Sequence, residues 1–420
     1  MQDNDNSGKA TNRSQRQYDV VVFGASSFVG QIVSRHLWLR QLGGTSFHWA
    51  LAGRSLQRLE ILQEQLGLGA EMLPLLLADA ADIASLRQMV SQTRVLISTV
   101  GPYSLFGSLV VQACAECGTD YCDLTGEVPW VSRMLAAWSQ TARESGARIV
   151  PSCGFDSVPS DMGVQFLQER ALQRFQEPAS RVQLQVRQIR GGFSGGTVAS
   201  MLQVVQEAVA DASVRRLLAN PYALCAEAQE CRQPQLTWPE MDKHSGQWMA
   251  PFVMAAINTR VVHRSNALQQ WSYGEDFRYD EVLLTGSGLQ GRLTAWAVTG
   301  AIAAFMSSAA VRPTRRLLER FVLPAPGEGP SAQEQETGGY QLVLWGMTAS
   351  GRRIAVGVTG DRDPGYGSTA KILGEAALTL AFDVDRSQVP GGFWTPATAL
   401  GTVFRQRLCQ HAGMTFTDEV

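Results

Sequence analysis

The chain has 420 residues, 45% of them hydrophobic and 18% charged, with 36 Lys and Arg against 38 Asp and Glu. That length exceeds what one hydrophobic core usually supports, so two domains are expected, and a formal charge of -2 without a basic tract argues against nucleic acid as a partner. Seven irregularly spaced cysteines do not make a disulfide framework and read as the reduced thiols of a cytoplasmic protein.

Residues 1–17 are polar, lack the apolar core of a signal peptide, and carry Asp3 and Asp5, which count against a transit peptide; they read as a disordered tail. From Tyr18 short apolar runs alternate with helical stretches. Tyr18 to Phe23 reads as a strand, Phe28 to Arg40 as a helix, Phe47 to Ala52 as a strand and Leu56 to Gln65 as a helix. Strands at Met72 to Leu77, Val95 to Thr99, Thr119 to Asp123 and Arg148 to Pro151 then alternate with helices at Ile83 to Val90, Leu109 to Cys117 and Val131 to Glu144. Strands that are apolar throughout, each followed by a helix, indicate a parallel sheet covered on both faces, which right-handed crossovers make a doubly wound Rossmann α/β fold.

The first strand runs into Gly24-Ala25-Ser26-Ser27-Phe28-Val29-Gly30, which opens the first helix. Backbone N–H groups and the helix dipole favour a dinucleotide pyrophosphate there. Gly24 permits the tight turn and Gly30 close packing of helix on strand; Ser27 replaces the usual middle glycine, and either crowds the phosphates or donates to them. After the second strand comes Arg54, where NAD-specific folds usually carry an acid. An arginine there pairs with a 2′-phosphate, so NADP(H) is expected, with Arg58 assisting. Asp79 is placed to accept from the adenine amino group, or else only to cap the next helix. Gly101-Pro102 would let the backbone approach the nicotinamide ribose, with Tyr103 lining the ring or substrate.

Beyond Pro151 the rhythm changes. Val182 to Ile189, Phe252 to Val262, Gln341 to Met347 and Arg353 to Thr359 read as strands, and Gly195 to Ala212 as a helix behind a glycine-rich turn. Long strands with long insertions suggest a second α+β domain with a mixed or antiparallel sheet. Pro324 to Glu336 reads as an exposed loop. Ala295 to Val311 is uncharged and is followed by Arg312, Arg315 and Arg316. It is short for a membrane span and diluted by Thr299, Gly300, Ser307 and Ser308. A buried or oligomer-interface helix is the first reading and peripheral membrane contact the second.

The motifs GASSFVG, AGR, VGPYSLFG, YCDLTGE and PSCGFDSVPSD, continued by GGFSGGT, APGEGPS, DPGYGSTAKI and GGFWTPATALG, together resemble the saccharopine dehydrogenase-like oxidoreductases. Within that group the chain is most similar to the trans-acting enoyl reductases. The resemblance implies an NADP-binding Rossmann domain over 18–152, a substrate or oligomerisation domain over 153–385, and a segment 386–420 that packs back on the first domain. It also implies reduction of a C=C bond in a lipid or polyketide intermediate, free or carrier-bound. The alternatives are a saccharopine-type amino-acid dehydrogenase and a non-catalytic NADP-binding sensor or scaffold.

Proton-donor candidates in these motifs are Tyr103, Asp123, Glu127, Asp156 and Tyr366. Asp156 follows the sixth strand where the two domains should meet, and could instead satisfy loop amides. Glu127 could instead complete a capping box with Leu124-Thr125. Cys114-x-x-Cys117 falls within a helix, and the five histidines show no paired spacing, so no metal site is expected. No GxxxxGK[ST] loop is present.

Overall fold

The computed structural model describes residues 16–419 except 68, 193, 228, 244 and 322–330. The first half alternates strictly: β1 (Tyr18–Phe23), α1 (Phe28–Leu42), β2 (Trp49–Gly53), α2 (Leu56–Leu66), β3 (Leu75–Leu77), α3 (Ile83–Val90) and β4 (Thr93–Ser98). The short α4 (Tyr103–Phe106) precedes α5 (Ser108–Cys117), β5 (Asp120–Asp123), α6 (Val128–Ser145) and β6 (Arg148–Val150). Val20, Val21 and Val22 of β1 are fully buried although their side chains alternate between faces, which is what a central strand covered by helices on both sides requires. Residue 17 does not end a free tail: Arg16 donates to Thr119 Oγ1 at 2.7 Å and to the Cys117 carbonyl at 2.6 Å. The rest of the expected tail, 1–15, lies outside the described residues.

The second half opens with α7 (Val158–Phe175), β7 (Ala179–Arg190), α8 (Gly195–Ala210), α9 (Ala212–Ala219), β8 (Glu240–Met241), β9 (Gln247–Pro251) and α10 (Ala255–Leu268). Then come β10 (Arg278–Ser287), α11 (Gly288–Ala310), α12 (Arg312–Phe321), α13 (Ala332–Thr337), β11 (Gly339–Thr348) and β12 (Arg353–Gly360). The chain ends with α14 (Thr369–Phe382), β13 (Gly392–Phe393), α15 (Pro396–His411) and β14 (Met414–Glu419). One sheet runs β13-β6-β5-β4-β1-β2-β3, parallel throughout; the other runs β14-β12-β11-β7-β10-β9-β8. In the second, β7 and β10 pair in parallel and the other neighbours antiparallel, which makes it mixed.

The two halves share their C-terminal elements. β13 extends the parallel sheet beside β6, α14 packs on α1, β4 and β5, and β14 closes the edge of the mixed sheet. Glu375 of α14 is buried and accepts from His36 Nε2 and Arg40 Nε, each at 2.9 Å, which pins α14 to α1. Arg148 pairs with Asp120 and donates to the Leu380 and Val384 carbonyls at 2.6 and 2.9 Å, tying β6 to the end of α14. Although α14 falls inside the span 153–385, it covers the first sheet.

Four expectations need correction. Phe252 to Val262 is not a strand: from Ala255 it belongs to α10, whose buried positions Ile257, Asn258, Val261, Val262, His263, Ser265 and Asn266 recur at helical spacing. Met72 lies in a single 3₁₀ turn, Ala70–Met72, before β3. Of Pro324 to Glu336, residues 324–330 lie outside the described residues and the remainder is a short helix whose Ser331 and Glu334 form a reciprocal capping box. The apolar segment 295–311 belongs to α11, in which only Gly291, Ala295 and Ala309 are buried, so it is not a core helix of this chain.

Candidate active site

The loop from β1 to α1 is shaped by its two glycines. Gly24 has φ +84°, and a Cβ there would come within 2.7 Å of both Thr99 Oγ1 and Val100 Cγ2. A Cβ on Gly30 would stand 2.2 Å from the Gly24 carbonyl oxygen, so any larger residue would push α1 off β1. Ser27 is the N-cap of α1: its Oγ accepts from Gly30 N–H at 3.0 Å and shares a hydrogen bond with Thr99 Oγ1 at 3.0 Å. The hydroxyl thus serves the loop itself. The N–H groups of Ser26, Phe28 and Val29 have no acceptor among the described residues, and all three residues line a cavity of about 1850 Å³. Ala25 is buried beneath them. Amides at a helix N-terminus without protein acceptors are a fit for a pyrophosphate.

The adenosine end is built by β2 and β3. Arg54 is exposed on the cavity rim and makes no hydrogen bond or ion pair among the described residues. Arg58, one turn into α2, lines the same rim. Asp79 lines the cavity too, with one carboxylate oxygen accepting from Ala81 N–H at 3.0 Å. Two cations without partners beside the end of β2 fit a 2′-phosphate.

At the end of β4, Gly101 and Pro102 line the cavity and Tyr103 starts α4. The Tyr103 hydroxyl donates to the Ser98 carbonyl at 3.0 Å and accepts from Leu124 N–H at 3.1 Å, and burial pushes its pKa well up. It staples the loops after β4 and β5 and has no proton to offer a substrate. Glu127 is likewise committed: its carboxylate accepts from Tyr103 N–H at 2.7 Å, Ser104 N–H at 2.9 Å and Ser200 Oγ at 2.7 Å. It caps α4 and joins that helix to α8, and it is the N-cap residue of α6 rather than part of a capping box with Leu124-Thr125. Asp123 is buried and accepts from Thr125 N–H, Ser152 N–H and the Tyr121 hydroxyl. Burial raises its pKa to about 6. All three are positioning residues.

Asp156 and Tyr366 differ. Asp156 lines the cavity between β6 and α7 and makes no hydrogen bond among the described residues, and burial alone pushes its pKa up to about 7. Phe155 N–H donates to Thr369 Oγ1 at 3.0 Å, tethering the Asp156 loop to the turn Pro364–Ser368 that carries Tyr366. Asp363 holds that turn by accepting from Tyr366 and Gly367 N–H, each at 2.9 Å. The Tyr366 hydroxyl accepts from Gly195 N–H at 2.8 Å, leaving its own proton available to the cavity. Its ring meets Phe28 edge-on, with centroids 4.7 Å apart, so the start of α1 is in contact with this turn.

The cavity continues between α8, α10 and α11, with walls from Met201, Val204, Phe252, Ile257, Ile302 and Met306. Sequence reasoning assigned none of these to the site, nor Thr99, Ser200 or Glu281. The glycine-rich turn before α8 was the available signal for that wall. Glu281 is buried on β10, accepts from Asn258 Nδ2 at 2.9 Å and the Tyr279 hydroxyl at 2.7 Å, and is raised by burial to about 7. Cys114 and Cys117 sit in α5, Cys114 buried and its thiol pushed well up by burial. Among the described residues no group of three His, Cys, Asp or Glu could hold a metal ion.

Comparison with known proteins agrees with this geometry. Residues 20–150 match the family model of the saccharopine dehydrogenase NADP-binding domain. A Mycobacterium tuberculosis relative is 40% identical over 407 residues, covering 94% of this chain and 96% of its own length. The trans-acting enoyl reductase of Mycobacterium ulcerans is 39% identical over 412 residues, 94% of this chain and 97% of the relative. Saccharopine dehydrogenase (L-Glu forming) from Saccharomyces cerevisiae superposes with a TM-score of 0.53 at 12% identity, over 96% of this chain and all of that one, which shows a shared fold. The chain belongs to the saccharopine dehydrogenase-like oxidoreductases, in the trans-acting enoyl reductase branch.

Proposed function

We propose that the protein is an NADPH-dependent reductase of the C=C bond of an acyl thioester, and that the acyl chain is presented by a carrier. The observation that carries this reading is a single cavity that joins the pyrophosphate loop to an apolar chamber, with Asp156 and Tyr366 between them. NADPH, when bound, supplies the hydride for the β-carbon. Ser26, Phe28 and Val29 N–H hold its pyrophosphate, and Arg54 with Arg58 its 2′-phosphate. Tyr366, fixed through its oxygen by Gly195, donates a hydrogen bond to the thioester carbonyl and stabilises charge developing there. Asp156, neutral below about pH 7, delivers the proton to the α-carbon. The apolar walls between α8, α10 and α11 take the chain and exclude water.

The chamber disfavours saccharopine, a multiply charged amino acid. The basic residues lining its far side are Arg232 and Arg260, and Arg260 is turned to the Leu218 carbonyl at 2.6 Å and Thr259 Oγ1 at 2.9 Å. The test is NADPH oxidation by the purified protein with enoyl and saturated acyl thioesters of graded length. Oxidation dependent on the enoyl compound, with the saturated product found by mass spectrometry, is expected. NADP+ reduction by saccharopine, with no NADPH oxidation by any enoyl thioester, would overturn the proposal.

A further inference from the structure

The outer face of α11 is built unlike the outer face of a soluble surface helix. Its inward stripe is narrow: Gly291, Ala295 and Ala309 are buried, and Ile302 and Phe305 are half-buried on the same side, with Phe305 packing on Leu202 and Val205 of α8. Polar residues would be expected on the remaining surface. Instead Leu289 is 71% exposed, Leu293 62% and Trp296 47%, while Arg292 is the single charge from Gly288 to Ala310 and no acid occurs. Trp238, 64% exposed, leans on Trp296 with ring centroids 6.0 Å apart, and exposed Met241 lies nearby in sequence on β8. The apolar run ends in Arg312 and Arg316, both exposed at the start of α12.

At 23 residues α11 is long and apolar enough to cross a bilayer. Both its ends are fastened to the same body, however: it continues directly from β10 and packs on β9, and its last turns lie against α8. It therefore lies along the protein surface. We infer that α11 and the start of α12 seat the protein on an anionic lipid bilayer, with the Trp238–Trp296 pair and Leu293 entering the acyl boundary and Arg312 and Arg316 meeting phosphate headgroups. The paired tryptophans and the basic flank match the two layers of such an interface, apolar below and negatively charged above. Ile302 and Met306 of the same helix line the chamber, so docking would set this apolar wall of it against lipid. That last consequence rests on the acyl reading above; the docking does not.

The experiment is co-sedimentation of the full-length protein, saturated with NADPH, with phosphatidylcholine vesicles and with vesicles containing phosphatidylglycerol. Binding to the anionic vesicles, weakened by salt and poor on phosphatidylcholine alone, is expected. Leu293→Glu/Trp296→Glu should abolish it, and Arg312→Ala/Arg316→Ala should weaken it roughly 30-fold. Unchanged NADPH titration would show that the variants are folded. No binding of the wild type, or binding indifferent to Leu293→Glu/Trp296→Glu, would overturn the inference. So would a dimer that this double variant splits, or retention by an acidic acyl-carrier domain, without vesicle binding. Because sedimentation reads no turnover, its failure leaves the reductase reading standing, and the converse holds.

Discussion

On the proposed reading Arg54 selects the cofactor and Asp156 supplies the proton, and each makes its own prediction. Arg54 has no partner to lose among the described residues, so Arg54→Ala should leave stability unchanged while weakening NADPH binding roughly 10- to 100-fold and NADH binding little, as read by nicotinamide fluorescence. Equal losses for both cofactors would remove the 2′-phosphate assignment. Asp156 is a carboxyl raised by burial to about 7 with no compensating donor among the described residues. Its activity should therefore fall as pH rises through about 7, and Asp156→Asn should cost roughly 10²-fold or more in kcat and flatten that limb. Stability should follow the same pH direction, but the substitution should raise it. A carboxyl whose folded pKa lies above its unfolded one near 4 stabilises the fold fully only below that lower value, and the contribution is lost as pH rises towards 7. Asp156→Asn should match the wild type in melting temperature near pH 4 and exceed it by a few degrees at pH 8. A variant no more stable at pH 8 would mean that the carboxylate is solvated in the protein. The sequence placed Arg54 and Asp156 at the correct strand ends, because position after a strand is a local property. It could not tell that Tyr103 and Glu127 are spent on each other's loops, since those bonds join residues more than twenty apart.

At the scale of elements, the β1–α1 junction was legible because strand, glycines and cap lie within a few residues. Ser27 is its informative part. As the cap of α1 it should be replaceable: Ser27→Ala should cost about 1 kcal/mol of stability, measured by denaturant unfolding, with NADPH affinity changed only a few-fold. Gly30→Ala, by contrast, should abolish cofactor binding, because its Cβ would meet the Gly24 carbonyl at 2.2 Å. α10 shows why other elements were misread. Its Ile257, Val261 and Val262 are β-branched and its apolar run is short, so alternation and helical spacing compete, and burial against α7 and β10 decides for the helix. α14 left no stripe to read because nearly every residue from Thr369 to Ala381 is buried.

At the scale of the molecule, the parallel sheet brings the ends of β1, β2 and β4 to one edge, and the mixed sheet closes the far side of the same cavity. The return of α14, β13 and β14 fixes the two sheets to each other, which no local pattern announces. If the chamber holds an acyl chain, narrowing it should discriminate by length. Ala199→Trp, on the α8 wall, should lower turnover of long-chain enoyl thioesters far more than of short ones, whereas a uniform loss would place the chain elsewhere.

The central claim is that one cavity unites an NADPH site with an apolar acyl chamber. The direct measurement is the rate of NADPH oxidation by the purified protein on adding an enoyl thioester, with the product identified. The account predicts oxidation that requires the double bond, prefers NADPH to NADH and yields the saturated acyl thioester. Tight NADPH binding with no oxidation across enoyl thioesters of every length, free and carrier-bound, would contradict it.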